Sequence, residues 1–357
     1  MPKVYRMDQR SEKQQHRIIV RFPNWTGDIV MATPVLQCLR QNFPKSRIVG
    51  VVRSYARGVL KDLDDIDRII PCDDKTISGL RQTGDEIREE NPDFAVVLPN
   101  SFRSWLQMRL GGVKEIYGYR RGLRKLFMRN GPKLSKKSGT ASPSPMIDYY
   151  LGICRDMRLT VADNPCPGLA VSTELQEKGD ATLKRLGVDP EETIIGINPG
   201  ASFGSSKCWP VENFAALAEL FENHYGGRLL LFGSPSEKEL TKAITEQSKA
   251  EIINTAPLDI DLEHLKPLIK RCNLLVTNDT GPRHYAVAFG IPVTVIMGPT
   301  HPAYTAANLD QTVVVREDVS CGPCHKKTCP YNHECMTRIT PENVFNSAVN
   351  LLGVHGE

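Results

Sequence analysis

At 357 residues the chain is long enough for two domains, each able to bury a full core. Its 40% apolar and 24% charged content is ordinary for a globular protein, and a net charge of +4 is too small to indicate a nucleic-acid binder by itself. No apolar run reaches transmembrane length, and residues 1–16, which lack the apolar stretch of a signal peptide, read as a loose tail on a cytoplasmic protein.

Arg17–Phe22 reads as a first strand, followed by the loop from Pro23 to Asp28 and a helix from Ile29 to Asn42. Arg47–Val52 is a second strand, Tyr55–Lys61 a short helix, Asp67–Pro71 a third strand and Ile77–Glu90 a helix. Phe94–Leu98 is a buried strand, Phe102–Leu110 a helix and Glu115–Tyr119 a further strand. Residues 103–137 carry eleven Lys and Arg against the single acid Glu115; Gly and Pro punctuation makes part of this stretch a loop. After the Ser/Pro-rich residues 135–145 comes a helix at Ile147–Leu159. The stretch 160–169, TVADNPCPGL, then separates an expected N-terminal domain, 17–165, from a C-terminal one, 170–357.

The second half restarts the alternation. Helix Glu174–Leu186 leads to strand Thr193–Asn198, a Gly/Ser-rich loop and helix Val211–His224. Strand Arg228–Phe232, helix Glu237–Lys249, strand Glu251–Asn254 and helix Leu262–Lys270 follow. Strands Asn273–Thr277 and Pro292–Met297 flank a helix at Arg283–Phe289; Thr312–Val315 is a last strand and Pro341–Leu352 a last helix. Such alternation makes both halves α/β, built on parallel sheets in a Rossmann-like manner.

No G-x-G-x-x-G follows the first strand, and no P-loop or nucleophile elbow occurs anywhere. The candidate chemistry lies in polar loops at strand carboxyl ends, where open α/β sheets bind ligands. Asp28 opens a helix after the first strand; it reads either as an N-cap or as a carboxylate able to take a proton from a hydroxyl. Lys207 closes the small-residue loop 200–206 and reads as a solvated lysine or a phosphate ligand. Glu237, after Gly233-Ser234-Pro235-Ser236, is either a first-turn glutamate favoured by the helix dipole or a carboxylate for a ribose diol. Asp279, Thr280 and Gly281 put an acid, a hydroxyl and open backbone N–H groups at a strand end, with Asp279 or Thr280 also able to cap the next helix.

Taken together, Asn24-Trp25-x-Gly27-Asp28, Asn198-Pro199-Gly200-Ala201 with Lys207-x-Trp209-Pro210, Phe232-Gly233-Ser234 and Asn278-Asp279-Thr280-Gly281-x-x-His284 form a specific set in order. This set resembles the lipopolysaccharide heptosyltransferases of glycosyltransferase family 9, nearest the heptosyltransferase II type, over about residues 17–315. The resemblance implies a GT-B fold, two Rossmann-like domains facing across a cleft, with the acceptor on the N-terminal side and ADP-heptose on the C-terminal side. It implies inverting transfer of heptose from ADP-L-glycero-D-manno-heptose to the lipopolysaccharide inner core, onto Hep-I or Kdo on lipid A, without a divalent metal or other cofactor. Asp28 matches the general base; Lys207, Glu237, Asp279, Thr280 and Gly281 match donor-binding positions.

On that reading the basic stretch, with Arg120, Arg121 and Arg124, holds the anionic lipid A–Kdo acceptor and gives peripheral contact with the inner face of the inner membrane; nucleic acid is not an expected partner. The alternative is a solvated charged loop. A different class of function also stays open, a non-catalytic module for a nucleotide or anionic lipid, as does a same-fold transferase using another nucleotide sugar. Cys321-x-x-Cys324-x4-Cys329-x5-Cys335, interleaved with His325 and His333, reads as a metal knuckle, a redox-labile disulfide or reduced thiols packing a loop.

Overall fold

The computed structural model describes residues 15–128, 130–132 and 143–353. Residues 1–14 of the expected tail, Arg129, Lys133, Lys136, Lys137 and the 135–142 part of the Ser/Pro-rich stretch lie outside the described residues. The chain divides into two compact units between Gly168 and Leu169, at the end of the 160–169 stretch.

In the first unit the order is β1 (Arg17–Arg21), α1 (Thr26–Met31), α2 (Thr33–Asn42), β2 (Arg47–Arg53), α3 (Arg57–Leu60), β3 (Arg68–Cys72), α4 (Ile77–Glu89), β4 (Phe94–Val97), α5 (Phe102–Leu110), β5 (Glu115–Tyr117) and α6 (Met146–Asp156). Its five strands form one parallel sheet in the order β3-β2-β1-β4-β5. Ile18, Ile19 and Val20 of β1 are fully buried, as a strand with elements on both faces must be. The single helix expected at Ile29–Asn42 is two helices broken at Ala32. Pro34 sits in the first turn of α2, where its missing N–H costs nothing, whereas within one continuous helix it would remove a backbone bond.

In the second unit the order is α7 (Thr173–Arg185), β6 (Ile194–Asn198), α8 (Val211–His224), β7 (Arg228–Leu231), α9 (Lys238–Gln247), β8 (Ile252–Asn254), α10 (Leu265–Arg271), β9 (Leu274–Asn278), α11 (Gly281–Phe289), β10 (Val293–Ile296), β11 (Thr312–Val315), α12 (Glu334–Thr337) and α13 (Pro341–Gly353). The sheet is again parallel, in the order β11-β10-β9-β6-β7-β8. Trp209, Phe214 and Phe221 pack with Ile197, Val276 and Met336 in its core. Both sheets reverse their winding direction once, between β1 and β4 and between β6 and β9. At such a switch point the helices on either side diverge and leave a crevice beyond the strand ends.

Candidate functional site

Each unit carries its polar cluster at its own switch point. In the first, the chain leaves β1 at Arg21, whose guanidinium is fully buried. Its Nε donates to Gln107 Oε1 (3.1 Å), and Nη2 donates to Asn24 Oδ1 (3.0 Å) and Asp74 Oδ2 (3.2 Å). Asp74 is also paired with Arg53 at 2.6 Å, and the Tyr55 hydroxyl donates to the Asn24 carbonyl. These bonds hold the turn that delivers α1. Asp28 lies inside the first turn of that helix; the N-cap is Trp25 and makes no side-chain cap bond, so the capping alternative for Asp28 is not what the structure contains. Instead Tyr150, on α6, donates its hydroxyl to Asp28 Oδ1 at 2.9 Å. Burial raises the Tyr150 hydroxyl well above the ordinary tyrosine value, and the neighbouring Asp28 carboxylate adds to it. Tyr150 is therefore a fixed donor across the neutral range.

In the second unit β6 and β9 end side by side, with Asn198 in register with Thr277. Asn198 Nδ2 donates to Thr277 Oγ1 (3.1 Å), Asn278 Nδ2 to Pro199 O (2.6 Å) and the Trp209 amide to Asn278 Oδ1 (3.3 Å). The two motif loops are thus tied together by the asparagines that end the strands. Lys207 Nζ donates to Asp279 Oδ2 (2.7 Å) and Asp279 O (2.8 Å), and lies 5.2 Å from the centre of the Phe203 ring. Arg283 Nη1 donates to Asp279 Oδ1 (2.9 Å) and Thr300 Oγ1 to Asp279 Oδ2 (2.7 Å). Burial alone would raise the Asp279 carboxyl. Lys207 and Arg283, with the Lys207 and Thr300 hydrogen bonds, reverse that and hold it far below the usual carboxylate range. His284, one turn along, is pushed down to about 3 by burial and then by Arg283, so it is neutral.

Neither Asp279 nor Thr280 caps α11 through its side chain: Asp279 is spent on the ion pairs, and Thr280 is the N-cap residue but makes no cap bond. Gly281 begins the helix and Pro282, which has no N–H, follows it, so the first-turn amides of Gly281 and Arg283 have no partner within the helix. Glu237 forms a capping box, its Oε2 accepting from the Ser234 amide (2.8 Å) and hydroxyl (2.7 Å). Its Oε1 lies against Gly200, where a Cβ would come within 1.9 Å of it. Only glycine leaves room there for the carboxylate to sit against the β6 loop.

The cysteine-rich stretch is fastened to the Lys207 loop. The Ser206 amide donates to Lys327 O (3.1 Å), the Ser206 hydroxyl to Lys326 O, and His333 Nε2 donates to Ser206 O (2.7 Å). Gly204 runs so close to this segment that a Cβ would fall 2.3 Å from Lys327 O. All four cysteines are free thiols: Cys321 is exposed, Cys324 and Cys329 are half-buried and Cys335 is buried. Among the described residues no three His, Cys, Asp or Glu side chains are grouped so that they could hold a metal ion.

The basic stretch is not uniform. Arg121 is exposed and Arg120 half-buried, but Arg124 is 1% exposed. Its guanidinium donates to Tyr119 O (2.7 Å), Pro99 O and Asn100 Oδ1 (2.9 Å), and burial lowers it to about 10. The expectation that Arg124 faces an acceptor is corrected accordingly; it anchors its own loop. Sequence reasoning missed Tyr150, Arg283 and Thr300. The Ser234-x-x-Glu237 spacing that announces a capping box was readable, while nothing local marked Tyr150.

A family model described as glycosyltransferase family 9 (heptosyltransferase) matches residues 80–334. Lipopolysaccharide heptosyltransferase 2 of Salmonella typhimurium is 28% identical over 352 residues, covering 95% of this chain and 99% of that protein. The Escherichia coli protein of the same name is 28% identical over 349 residues, covering 94% and 98%. Among solved structures, E. coli ADP-heptose lipopolysaccharide heptosyltransferase II superposes with a TM-score of 0.79 at 27% identity, covering 96% of this chain and 100% of that one. A glycosyl transferase family 9 structure from Veillonella parvula superposes with a TM-score of 0.83 at 26% identity, covering 95% and 98%.

Proposed function

This chain belongs to glycosyltransferase family 9, the heptosyltransferases, and from that premise we propose that it moves heptose from ADP-L-glycero-D-manno-heptose to the lipopolysaccharide inner core, onto Hep-I or Kdo of a lipid A–Kdo acceptor. The relatives named lipopolysaccharide heptosyltransferase 2 match nearly end to end, and the fold is that of the GT-B heptosyltransferase structures, which supports this reading. The observation that carries the reading is the cluster of half-buried Lys207 with buried Asp279 and Arg283 at the β6/β9 switch point, beside the N-terminus of α11.

The reaction needs two things from the chain. A sugar hydroxyl must lose its proton as it attacks the anomeric carbon, and the departing ADP must be stabilised as the anomeric C–O bond breaks. Asp28 is the proposed base, taking the hydroxyl proton while Tyr150 holds its other edge. Lys207 and the first-turn N–H groups at Gly281 are the proposed partners of the diphosphate, a role in which fixed donors do the work of a divalent cation. Asp279 and Thr280 face the heptose in this reading, and Glu237 the ribose. Displacement of ADP by the attacking hydroxyl inverts the anomeric configuration.

We further propose that Arg120 and Arg121 meet the acceptor's anionic groups and that the protein works at the inner face of the inner membrane. No helix among the described residues is long and apolar enough to cross a membrane, and the contact we propose is a peripheral one. Incubation of pure protein with ADP-heptose and truncated core acceptors, read by mass, tests the reading: the expected product gains one heptose residue. ADP binding without a product from any nucleotide sugar would instead favour a non-catalytic nucleotide-binding module.

A further inference from the structure

The segment after β5 turns through a short 3-10 helix, Gly122–Leu126, packed on α5. In that geometry residues three apart share a face. Leu123 and Leu126 share the outer one, 70% and 72% exposed, while Arg124 points inward. Phe127 follows at 55% exposure, its ring 5.1 Å from Trp105 and 5.8 Å from Phe102. Eleven large apolar or aromatic side chains are exposed among the described residues, and four of them, Phe102, Leu123, Leu126 and Phe127, gather at this corner. The other seven lie on other segments of the chain, and a contiguous exposed apolar patch marks an interaction surface.

The turn is held out on purpose by its interior. Arg124 ties it to Pro99, Asn100 and Tyr119, so its apolar face cannot relax inward without leaving a buried guanidinium unpaired. Beside the apolar side chains of the turn stand exposed Arg121 and Lys125, while Arg103, next to Phe102, donates to the Asp74 and Lys75 carbonyls. Apolar tips rimmed by cations, with aromatic rings behind them, suit the boundary of an anionic bilayer: the chains enter the acyl edge and the cations meet headgroup phosphates. Long basic side chains also keep their charge at headgroup level while their stems lie in apolar surroundings.

We propose that the 122–127 turn with Phe102 is a shallow insertion ridge for an anionic phospholipid bilayer. The ridge deepens the membrane part of the reading above, locating the contact in named apolar side chains rather than in the basic charge alone. Its occupant is the bilayer rather than a second copy of the chain, because a rim of like cations would face itself across a self-association.

The test is sedimentation of the full chain with vesicles of phosphatidylglycerol and phosphatidylcholine, against vesicles of phosphatidylcholine alone. Wild type is expected to bind the anionic vesicles preferentially. Leu123→Ser, Leu126→Ser and Phe127→Ser together are expected to weaken that binding by about tenfold or more, since the lost apolar burial is several side chains' worth. Leu123→Ser and Leu126→Ser alone, at the two most exposed positions and away from the Phe127–Trp105 ring contact, are expected to weaken binding in the same direction, and all variants are expected to keep the wild-type melting profile and transfer to a de-acylated, water-soluble acceptor. Anionic-vesicle binding by the triple variant equal to wild type, no vesicle binding by wild type, or a wild-type dimer that the variant abolishes would each overturn the proposal. Vesicle binding that fails in the variant, in a protein that transfers no heptose to any acceptor, would leave the ridge standing and sink the transfer reading.

Discussion

The proposed base is best tested by pairing Asp28→Asn with Tyr150→Phe. Asp28 is joined to Tyr150 through a 2.9 Å bond from the hydroxyl of a tyrosine on the buried face of its helix. Asparagine keeps the size of the side chain and an acceptor oxygen for Tyr150, but it cannot accept the acceptor sugar's proton. Turnover is expected to fall by roughly 10²–10⁴, the usual contribution of a positioned base. Stability should change far less, because the tyrosine still finds a partner. Tyr150→Phe reverses the pattern. It removes a hydrogen bond to a charged group and should cost about 1.5–3 kcal/mol of stability while leaving the carboxylate in place, so its loss of turnover should be much the smaller. Donor affinity, read by calorimetry with ADP-heptose, should move in neither variant, because both changes lie in the first unit. Steady-state kcat, thermal melting and the donor Kd together decide. Wild-type turnover in Asp28→Asn would refute the assignment, and so would equal loss of turnover in the two variants.

Lys207→Ala should weaken ADP-heptose binding by roughly 10- to 100-fold, the worth of a charge-assisted contact to phosphate, and isothermal titration would read it. Asp279→Asn should cost about 3–5 kcal/mol of stability, because it leaves Lys207 and Arg283 without their counter-charge. Since the folded Asp279 carboxyl is held below its ordinary value, its contribution is complete above the unfolded value near ~4 and is lost only as pH falls from there. The melting difference between wild type and Asp279→Asn should therefore stay flat from neutral pH down to about 4–5 and shrink only below. Transfer should survive EDTA if, as proposed, Lys207 and helix N–H groups meet the diphosphate; loss of turnover restored specifically by Mg²⁺ or Mn²⁺ would count against that.

The sheet was legible because parallel strands buried on both faces read as continuous apolar runs, as at Ile18–Val20 and Leu274–Val276. The polar residues at their carboxyl ends were legible for the same reason, since they follow directly on those runs. Long-range partners were not. Tyr150 lies 122 residues from Asp28 and looks like any apolar member of an amphipathic helix. Thr300 reaches Asp279 only once β10 has been laid beside β9. Charge misled at Arg124, because composition gives the sign of a loop but not which of its arginines the backbone carbonyls will claim. The proline that opens α2, where the helix expected at Ile29–Asn42 divides, was visible, and its rule simply had to be applied at Pro34.

The bonds between Ser206 and the Lys326–His333 segment make two distant pieces of sequence a single opening unit. The Ser206 amide is closed by the Lys327 carbonyl, so its exchange with solvent deuterium requires the cysteine-rich segment to lift away. A ligand that binds only while the Lys207 loop is bonded to the segment in this way would slow that exchange and, by linkage, protect the peptide bonds of the segment from proteases it never touches. The converse follows with equal force. Cutting or alkylating the segment removes free energy from ligand binding at Lys207 in the same amount that the ligand lends to the segment.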